Sequence, residues 1–368
     1  MKRLFSNESY WGGGLLATLL TLLSLLSCMP EGPTVRDQQE NLDALWSVIN
    51  ERYCFLEEKE QLYKMNWDEV HRTYTEKLRA QKYNELAFYD LMSEMLDELR
   101  DGHVNLITSF DLSGYRFNPD PTKGLNVYAR NKVINEFGLK GRFLRTGGLT
   151  YSMLSYEPTK VTFGYLIYSS FSSSLGNIAL VMSLMEQMDA VIIDLRGNGG
   201  GLVTNVEELL SYFYKERTVV GYMSHKQSPR RGDYSELRPI YVQPAKDTYL
   251  PQVPVYILQD KGCYSATNDF LYKVSHAPNV IRVGQKSGGG AGLPASSELP
   301  NGWRVRYSAV RCYDRDKRLY EEGIEPDVKL ESQSYYDNTG ATDKILTYVL
   351  RKVCKLPQDG GKDNKSNV

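Results

Sequence analysis

Apolar positions along the chain follow two periods in succession. Early on they recur at helical spacing. Leu42, Leu45, Trp46 and Ile49 share one face, and a second helix is expected over residues 67–78. Phe88, Leu91, Met92, Met95, Leu96 and Leu99 then keep the i, i+3, i+4 rule without a break. A glycine stop is expected at Asp101-Gly102, with His103 immediately after it. Beyond residue 161, short apolar runs alternate with amphipathic ones. Residues 162–168, 190–195, 253–258 and 280–283 read as buried strands, with Pro254 limiting the pairing of the third. Val181, Leu184, Met185 and Met188 mark one intervening helix, Val206, Leu209, Leu210 and Phe213 a second, and residues 266–274 a third. Strands alternating with helices predict a mostly parallel sheet. Between the two regions the pattern weakens: 127–129 and 133–134 read as short strands, and 141–148 as a turn-rich connection. Residues 217–250 are polar and rich in Tyr, Pro and Arg, an excursion long enough to cover a cleft.

The pattern is most informative at residues 190–201, AVIIDLRGNGGG. A strand buried on both faces runs into Gly197, Gly199, Gly200 and Gly201, and a helix follows. Glycines at such a turn let backbone N–H groups converge on an anion, either a phosphate or the oxyanion of acyl transfer. A tight turn with no ligand is the plain alternative. The phosphate readings fail on detail: Leu202 stands where a dinucleotide fingerprint needs its third glycine, and no Gly-Lys-Ser/Thr is present. A second glycine run, 288–292, is not followed by a helical pattern.

An oxyanion site needs a nucleophile. Ser265 stands at the strand-to-helix turn after residues 253–258, on the same edge of a parallel sheet as the glycine turn. The Ala266 amide follows it at a helix N-terminus, so Gly199, Gly200 and Ala266 are the candidate oxyanion donors. Serine is also a preferred helix N-cap, which by itself would account for Ser265. Cys263 is a rival nucleophile that reads more simply as a packing residue. No Gly-x-Ser-x-Gly or Ser-x-x-Lys surrounds Ser265.

Composition narrows the rest. A chain of 368 residues with 41% hydrophobic content can bury a sizeable core. A formal net charge of −1 gives no footing for nucleic acid or a broadly basic membrane face. The five cysteines and four histidines form no metal-ligand spacing, so neither a metal nor another cofactor is expected. Lys2 and Arg3 precede a short apolar run over 15–26 that ends at Ser27-Cys28, the pattern of a lipoprotein signal peptide. Cys28 is therefore the expected lipidation site, and the run is shorter than the ~20 residues that span a bilayer.

The ordered set of motifs carries a resemblance. Leu99-Arg100-Asp101-Gly102-His103-Val104, residues 191–201, Tyr264-Ser265-Ala266, Val283-Gly284-Gln285 and Gly323-Ile324-Glu325-Pro326-Asp327 resemble, in order and spacing, the C-terminal processing (tail-specific) peptidases and tricorn-core serine proteases. The resemblance covers roughly residues 40–330. It implies an α/β, mostly parallel (crotonase-like) protease core with an N-terminal helical domain. In one branch of the family a lysine about 25 residues after the serine is the base; here that position is Gly290, and Lys286 is the nearest lysine. In the other branch a histidine of an Asp-Gly-His motif is the base and a glutamate orients it. The chain resembles this branch, with His103 as base. The glutamate usually stands three residues before the glycine, where this chain has Tyr320; a one-residue deletion makes Glu321 the expected residue, with Glu322 beside it. The acidic residue the family carries after Ser-Ala-x is Asn268. Fewer than 60 residues separate Val104 from Val161, too few for the complete PDZ domain many members carry there.

The expected organisation is a lipoprotein signal peptide over 1–28, a tether over 29–35, a helical domain over 36–104, a mixed connecting region over 105–160, a protease core over 161–355 and a disordered tail over 356–368. The expected function is a serine endopeptidase anchored by lipid in the bacterial cell envelope, acting on protein or peptide through Ser265, His103 and Glu321. Two rivals remain: a Ser265–Lys286 dyad, and a catalytically silent peptide-binding lipoprotein of the same fold.

Overall fold

The computed structural model describes residues 35–115, 127–330 and 343–357. The expected signal peptide, Cys28, nearly all of the tether and the tail beyond residue 357 lie outside the described residues.

Four helices open the described chain: α1 (Val35–Arg52), α2 (Leu56–Tyr63), α3 (Trp67–Ala80) and α4 (Glu85–Asp97). Asn66 and Asn84 cap α3 and α4, their side chains accepting from the Glu69 and Ala87 amides at 3.0 and 2.8 Å. The apolar stripes read from the sequence meet in one core that includes Leu42, Leu45, Trp67, Met92 and Met95, all fully buried. Gly102 is not the residue that stops α4. The turn after the helix closes on Arg100 in the left-handed region (φ 48°), its guanidinium 4.5 Å from the centre of the Tyr63 ring.

Next come β1 (Asn105–Ile107) and a helix, α5 (Val127–Glu136), where the sequence pattern read two short strands. Ala129 and Val133 stand four apart on one helical face and are buried with Ile134, so the two apolar clusters are one helical stripe. The chain continues through β2 (Leu144–Thr146), β3 (Leu149–Tyr156), β4 (Val161–Tyr168), α6 (Ile178–Met185), β5 (Ala190–Asp194), α7 (Val203–Leu210), β6 (Thr218–His225) and β7 (Arg238–Val242). It ends with β8 (Val255–Gln259), α8 (Ala266–Val274), β9 (Val280–Gly284), β10 (Leu293–Glu298), β11 (Arg304–Tyr313), β12 (Val328–Lys329) and α9 (Lys344–Val353).

The strands form two sheets. The larger has seven, in the order β12-β9-β8-β5-β4-β3-β2, and pairs in parallel from β12 to β4. The antiparallel β2 and β3 extend it across residue 161. Both faces of its centre are apolar because both are covered. Val191, Ile193, Val255 and Ile257 face a core shared with α6, α7 and α8. Ile192, Leu258 and Val283 face α5 and α9. Pro254 stays clear of the strand interior: its carbonyl accepts from the Val191 amide at 2.9 Å just before β8 begins.

The second sheet was not evident from the pattern. It is antiparallel, in the order β1-β11-β6-β7, with β10 also on β11. The 217–250 stretch contains a paired hairpin, registered from Thr218 opposite Val242, and its Met223 and Ile240 line the cavity that holds Ser265. β11 carries Val305, Tyr307 and Cys312 into the core of the N-terminal helices, so this sheet joins the helical region to the larger sheet.

Candidate active site

Two turns leave the C-terminal ends of the neighbouring strands β5 and β8, and they are tied together below the surface. Arg196 at the root of the first turn makes ion pairs with Asp194 at 2.6 Å and with Asp343 at 2.8 Å, all three side chains being almost wholly buried. Asp260, at the root of the second, accepts from the Gly197 and Gly262 amides, both at 2.9 Å. Asn198 is completely buried: its Nδ2 donates to the Tyr168 carbonyl at 2.8 Å and its own carbonyl accepts from the Tyr264 amide at 3.1 Å. The first turn thus positions the second.

Ser265 sits at the crossing. Its backbone has φ 56° and ψ −121°, a conformation that costs a non-glycine residue about 1–3 kcal/mol and persists only where its surroundings enforce it. The enforcing contacts are the Ser265 amide to the Gly289 carbonyl and the Asp269 amide to the Ser265 carbonyl, both 2.9 Å. Gly200 packs against this bend. With φ 101° it adopts a backbone that suits glycine, and a Cβ there would lie 2.8 Å from Ser265 Cβ and 2.9 Å from the Ala266 nitrogen. The Ser265 side chain makes no capping hydrogen bond to α8. Its Oγ lies 2.8 Å from Nε2 of His103 instead.

His103 reaches Ser265 from 162 residues away, and local structure fixes its approach. Its amide donates to Asp101 Oδ1 at 2.7 Å, and Asp101 Oδ2 accepts from the Tyr53 hydroxyl at 2.7 Å. The ring packs against Tyr264, with centroids 5.1 Å apart. Burial lowers the imidazole below its ordinary value; Asp101 and the Ala291 backbone, which approaches the ring without completing a hydrogen bond to Nδ1, pull it back up, and the Arg306 and Lys59 charges lower it further. A neutral imidazole beside a serine hydroxyl is the protonation state a general base requires.

Glu321 and Glu322 separate sharply. Glu321 is buried, while the Glu322 side chain is 55% exposed. Lys59 from α2 pairs with both, at 3.1 Å to Glu321 Oε1 and 3.2 Å to Glu322 Oε1. Glu321 Oε2 and His103 Nδ1 are both buried and neither has a hydrogen-bond partner among the described residues. No hydrogen bond joins Glu321 to His103, so the carboxylate is in the same buried cluster but not on the ring. Burial raises the Glu321 carboxyl well above its ordinary value and Asp101 adds to this, while Lys59 acts in the opposite sense.

The expected oxyanion donors divide. The Gly200 amide donates to Asn198 Oδ1 at 3.0 Å. Among the described residues no hydrogen bond engages the Gly199 or Ala266 amides. Cys263 is not a rival nucleophile: it is completely buried, its Sγ donates to the Leu195 carbonyl at 3.1 Å, and burial raises its thiol well above the ordinary value. Lys286 does not line the cavity at Ser265; it lines another, beside His276, Arg282 and Arg318. Asn268 does hold the glutamate segment: it donates to the Tyr320 carbonyl at 3.1 Å and accepts from Ser287 Oγ at 2.6 Å. Lys59 and Asn198 had no signal in the sequence, since one lies in a charged helical stretch and the other reads as part of a glycine turn.

A cavity of about 130 Å³ opens beside Ser265, lined by Val203, Met223, Ile240, Leu293 and Pro294 among others. Four charged residues also line it: Lys273 pairs with Asp269 at 2.7 Å, Asp269 also accepts from the Tyr320 hydroxyl at 2.6 Å, Arg306 donates to Asn105 Oδ1 at 3.0 Å, and Glu207 is the fourth.

With this geometry in place, the comparisons with known proteins are decisive about family. The model of peptidase family S41 matches residues 162–330. A solved structure of a candidate peptidase from Parabacteroides merdae is 33% identical, covering 86% of this chain and 96% of that one, with a TM-score of 0.72. The chain belongs to peptidase family S41. Among S41 relatives, the carboxy-terminal processing protease CtpB of Bacillus subtilis is 23% identical over 177 residues, 47% of this chain and 35% of that protease. CtpA of the same organism is 20% identical over 300 residues, 73% of this chain and 62% of its own. The chain thus spans about a third of the length of the first and less than two thirds of the second. Mature CPAF shares the fold at a TM-score of 0.61 and 12% identity, covering 87% of this chain and 98% of that one.

Proposed function

We propose that this S41 member is a serine endopeptidase in which Ser265 is the nucleophile, His103 the base and Glu321 the orienting carboxylate. The observation that carries the reading is the 2.8 Å contact of His103 Nε2 with Ser265 Oγ on a strained bend. Ser265 Oγ attacks the scissile carbonyl carbon as its proton passes to Nε2. The tetrahedral oxyanion is met by the uncommitted Gly199 and Ala266 amides, and losing one such donor typically costs about 10²–10³ in rate. His103 then returns the proton to the leaving amine, and water releases the acyl group by the same relay. For Nε2 to accept, the ring must carry its proton on Nδ1, and a carboxylate facing that atom holds this tautomer. The apolar part of the cavity beside Ser265, formed by Val203, Met223, Ile240, Leu293 and Pro294, fits an apolar side chain of the substrate.

Cellular placement rests on the sequence alone: the apolar run ending at Ser27-Cys28 supports a lipid anchor on Cys28 and a site in the cell envelope. Among the described residues no helix is long and apolar enough to cross a membrane. Incorporation of labelled palmitate, lost in Cys28→Ala, tests the anchor.

The activity is tested by fluorophosphonate labelling of the parent, Ser265→Ala and His103→Ala. Labelling of the parent alone is the expected result. Labelling retained in His103→Ala would sink the histidine-base reading, and a parent that neither labels nor cleaves peptide would favour a binding protein.

A further inference from the structure

The helical region contributes to this site a buried charge that the proposed chemistry has not yet used. Lys59 lies in α2, yet its side chain is only 3% exposed and its amine stands between Glu321 and Glu322. A buried ammonium is costly without partners, and so is a buried carboxylate. The pair is asymmetric: Lys59 takes Glu321 Oε1 at 3.1 Å and leaves Oε2 without a partner, just as His103 Nδ1 is left without one. The Glu321 segment is held independently, since the Gly290 amide donates to the Glu321 carbonyl at 2.9 Å and Asn268 binds the Tyr320 carbonyl.

We infer that Lys59 is a positioning residue for this carboxylate: it anchors one oxygen of Glu321 and leaves the second oxygen for the imidazole of His103. The inference rests on the assignment of Glu321 proposed above. The other charges at the pair oppose what Lys59 does. Asp101 and Glu322 both disfavour a charged Glu321, and the buried hydroxyls of Tyr53 and Tyr264 and the thiol of Cys54 also face it. On the other side His103 feels Asp101, Arg306 and Lys59 itself. Removing Lys59 therefore favours the protonated carboxyl, and a neutral Glu321 stabilises no imidazolium.

The test compares Lys59→Met, Glu321→Gln, the double variant and Lys59→Arg with the parent. The readout is the rate of fluorophosphonate labelling of Ser265 across the neutral pH range. Lys59→Met is expected to slow labelling about tenfold or more, a part of the roughly 10²–10⁴ that general-base catalysis supplies, and to move the acidic limb of the profile to higher pH. Lys59→Arg is expected to restore most of the rate. The decisive comparison is the double variant, which removes both buried charges and leaves only the exposed Glu322 without its lysine. If Lys59 acts through Glu321, the double variant labels at the plateau rate of Glu321→Gln alone, its acidic limb moving only as the lost Lys59 charge raises His103. A further loss of plateau rate on adding Lys59→Met to Glu321→Gln would overturn the inference, because Lys59 would then be acting on the fold and not through Glu321. Labelling at the parent rate in Glu321→Gln would overturn the glutamate assignment itself. Loss in Glu321→Gln with an unchanged Lys59→Met would overturn only the role of Lys59.

Discussion

The ring of Tyr264 occupies the space into which a side chain at position 290 would extend. A Cβ on Gly290 would lie 2.3 Å from Tyr264 Cζ, at a backbone φ of 77°. Position 290 is where the lysine-dependent branch of the family would carry its base, so the residue before the nucleophile closes that route while it also packs on His103. Tyr264 thus fills the space at position 290 and packs against His103 with the same ring.

Lys286→Ala is accordingly expected to leave peptidase activity within about twofold of the parent. His103→Ala is expected to remove the 10²–10⁴ that a general base supplies. Gly290→Lys is not expected to create a working dyad, since both the contact with Tyr264 and the positive φ act against it. Rates of peptide hydrolysis for the three variants, with unfolding curves alongside, check this. Activity in Gly290→Lys/His103→Ala above that of His103→Ala would refute it.

The pH dependence is expected to follow Asp101. Its charge raises the pKa of His103, against the burial that lowers it. Asp101→Asn removes that charge, so the imidazole stays neutral to lower pH and the acidic limb of kcat/KM moves down. The plateau rate is expected to fall as well, because the imidazolium formed in the transition state loses a stabilising neighbour. Asparagine can keep the His103 amide on its Oδ1, while its Nδ2 can only donate to the Tyr53 oxygen, so that second contact must reverse its direction. A limb that stays in place, or moves up, would contradict the account.

Much of this site was legible because its parts are local. Residues 190–201 show their strand and glycine turn by composition alone, and α8 was delimited by its pattern. Other parts were hidden for identifiable reasons. Ser265 read equally well as a helix cap, and only its bend and the 2.8 Å contact distinguish the two. The α5 helix read as strands because an apolar stripe of three residues is too short to establish a period. The second sheet was missed because its strands pair over long sequence distances, as Asn105 does with Arg306, and long-range pairing leaves no local pattern. The pairing of Lys59 with Glu321 across 262 residues was invisible for the same reason.

The base of the glycine turn is expected to be sensitive to a single charge. Arg196→Met leaves Asp194 and Asp343 buried without their cation; removing one partner of such a buried set costs about 3–5 kcal/mol. The Tyr165 hydroxyl, 2.8 Å from Asp194, compensates only in part. Denaturant unfolding of the variant measures the loss. A change below about 1 kcal/mol, the range of an exposed ion pair, would show that the cluster does not clamp the turn.

Asn268 offers a sharper test, because the family's acidic residue can be restored at the cost of one donor. In Asn268→Asp the bond from Ser287 Oγ can persist, but the carboxylate cannot donate to the Tyr320 carbonyl that Asn268 Nδ2 now meets at 3.1 Å. Asn268 is completely buried, so the new carboxyl is desolvated and set against a carbonyl oxygen, and its pKa in the folded state rises above the unfolded value. A group raised in this way contributes most below its unfolded pKa, and that stability is lost as pH rises through the folded pKa. Asn268→Asp is therefore expected to approach the parent's stability in acid, where the protonated carboxyl can donate to Tyr320. Near neutral pH it is expected to be weaker by about 1–3 kcal/mol, the penalty of an unsatisfied buried group. Because Glu321 follows Tyr320 directly, the labelling rate relative to the parent at each pH is expected to fall with the same pH dependence. Unfolding free energies and labelling rates of Ser265 measured together across that range check both halves. Stability that rises with pH, or activity that stays constant while stability falls, would separate Asn268 from the placement of Glu321.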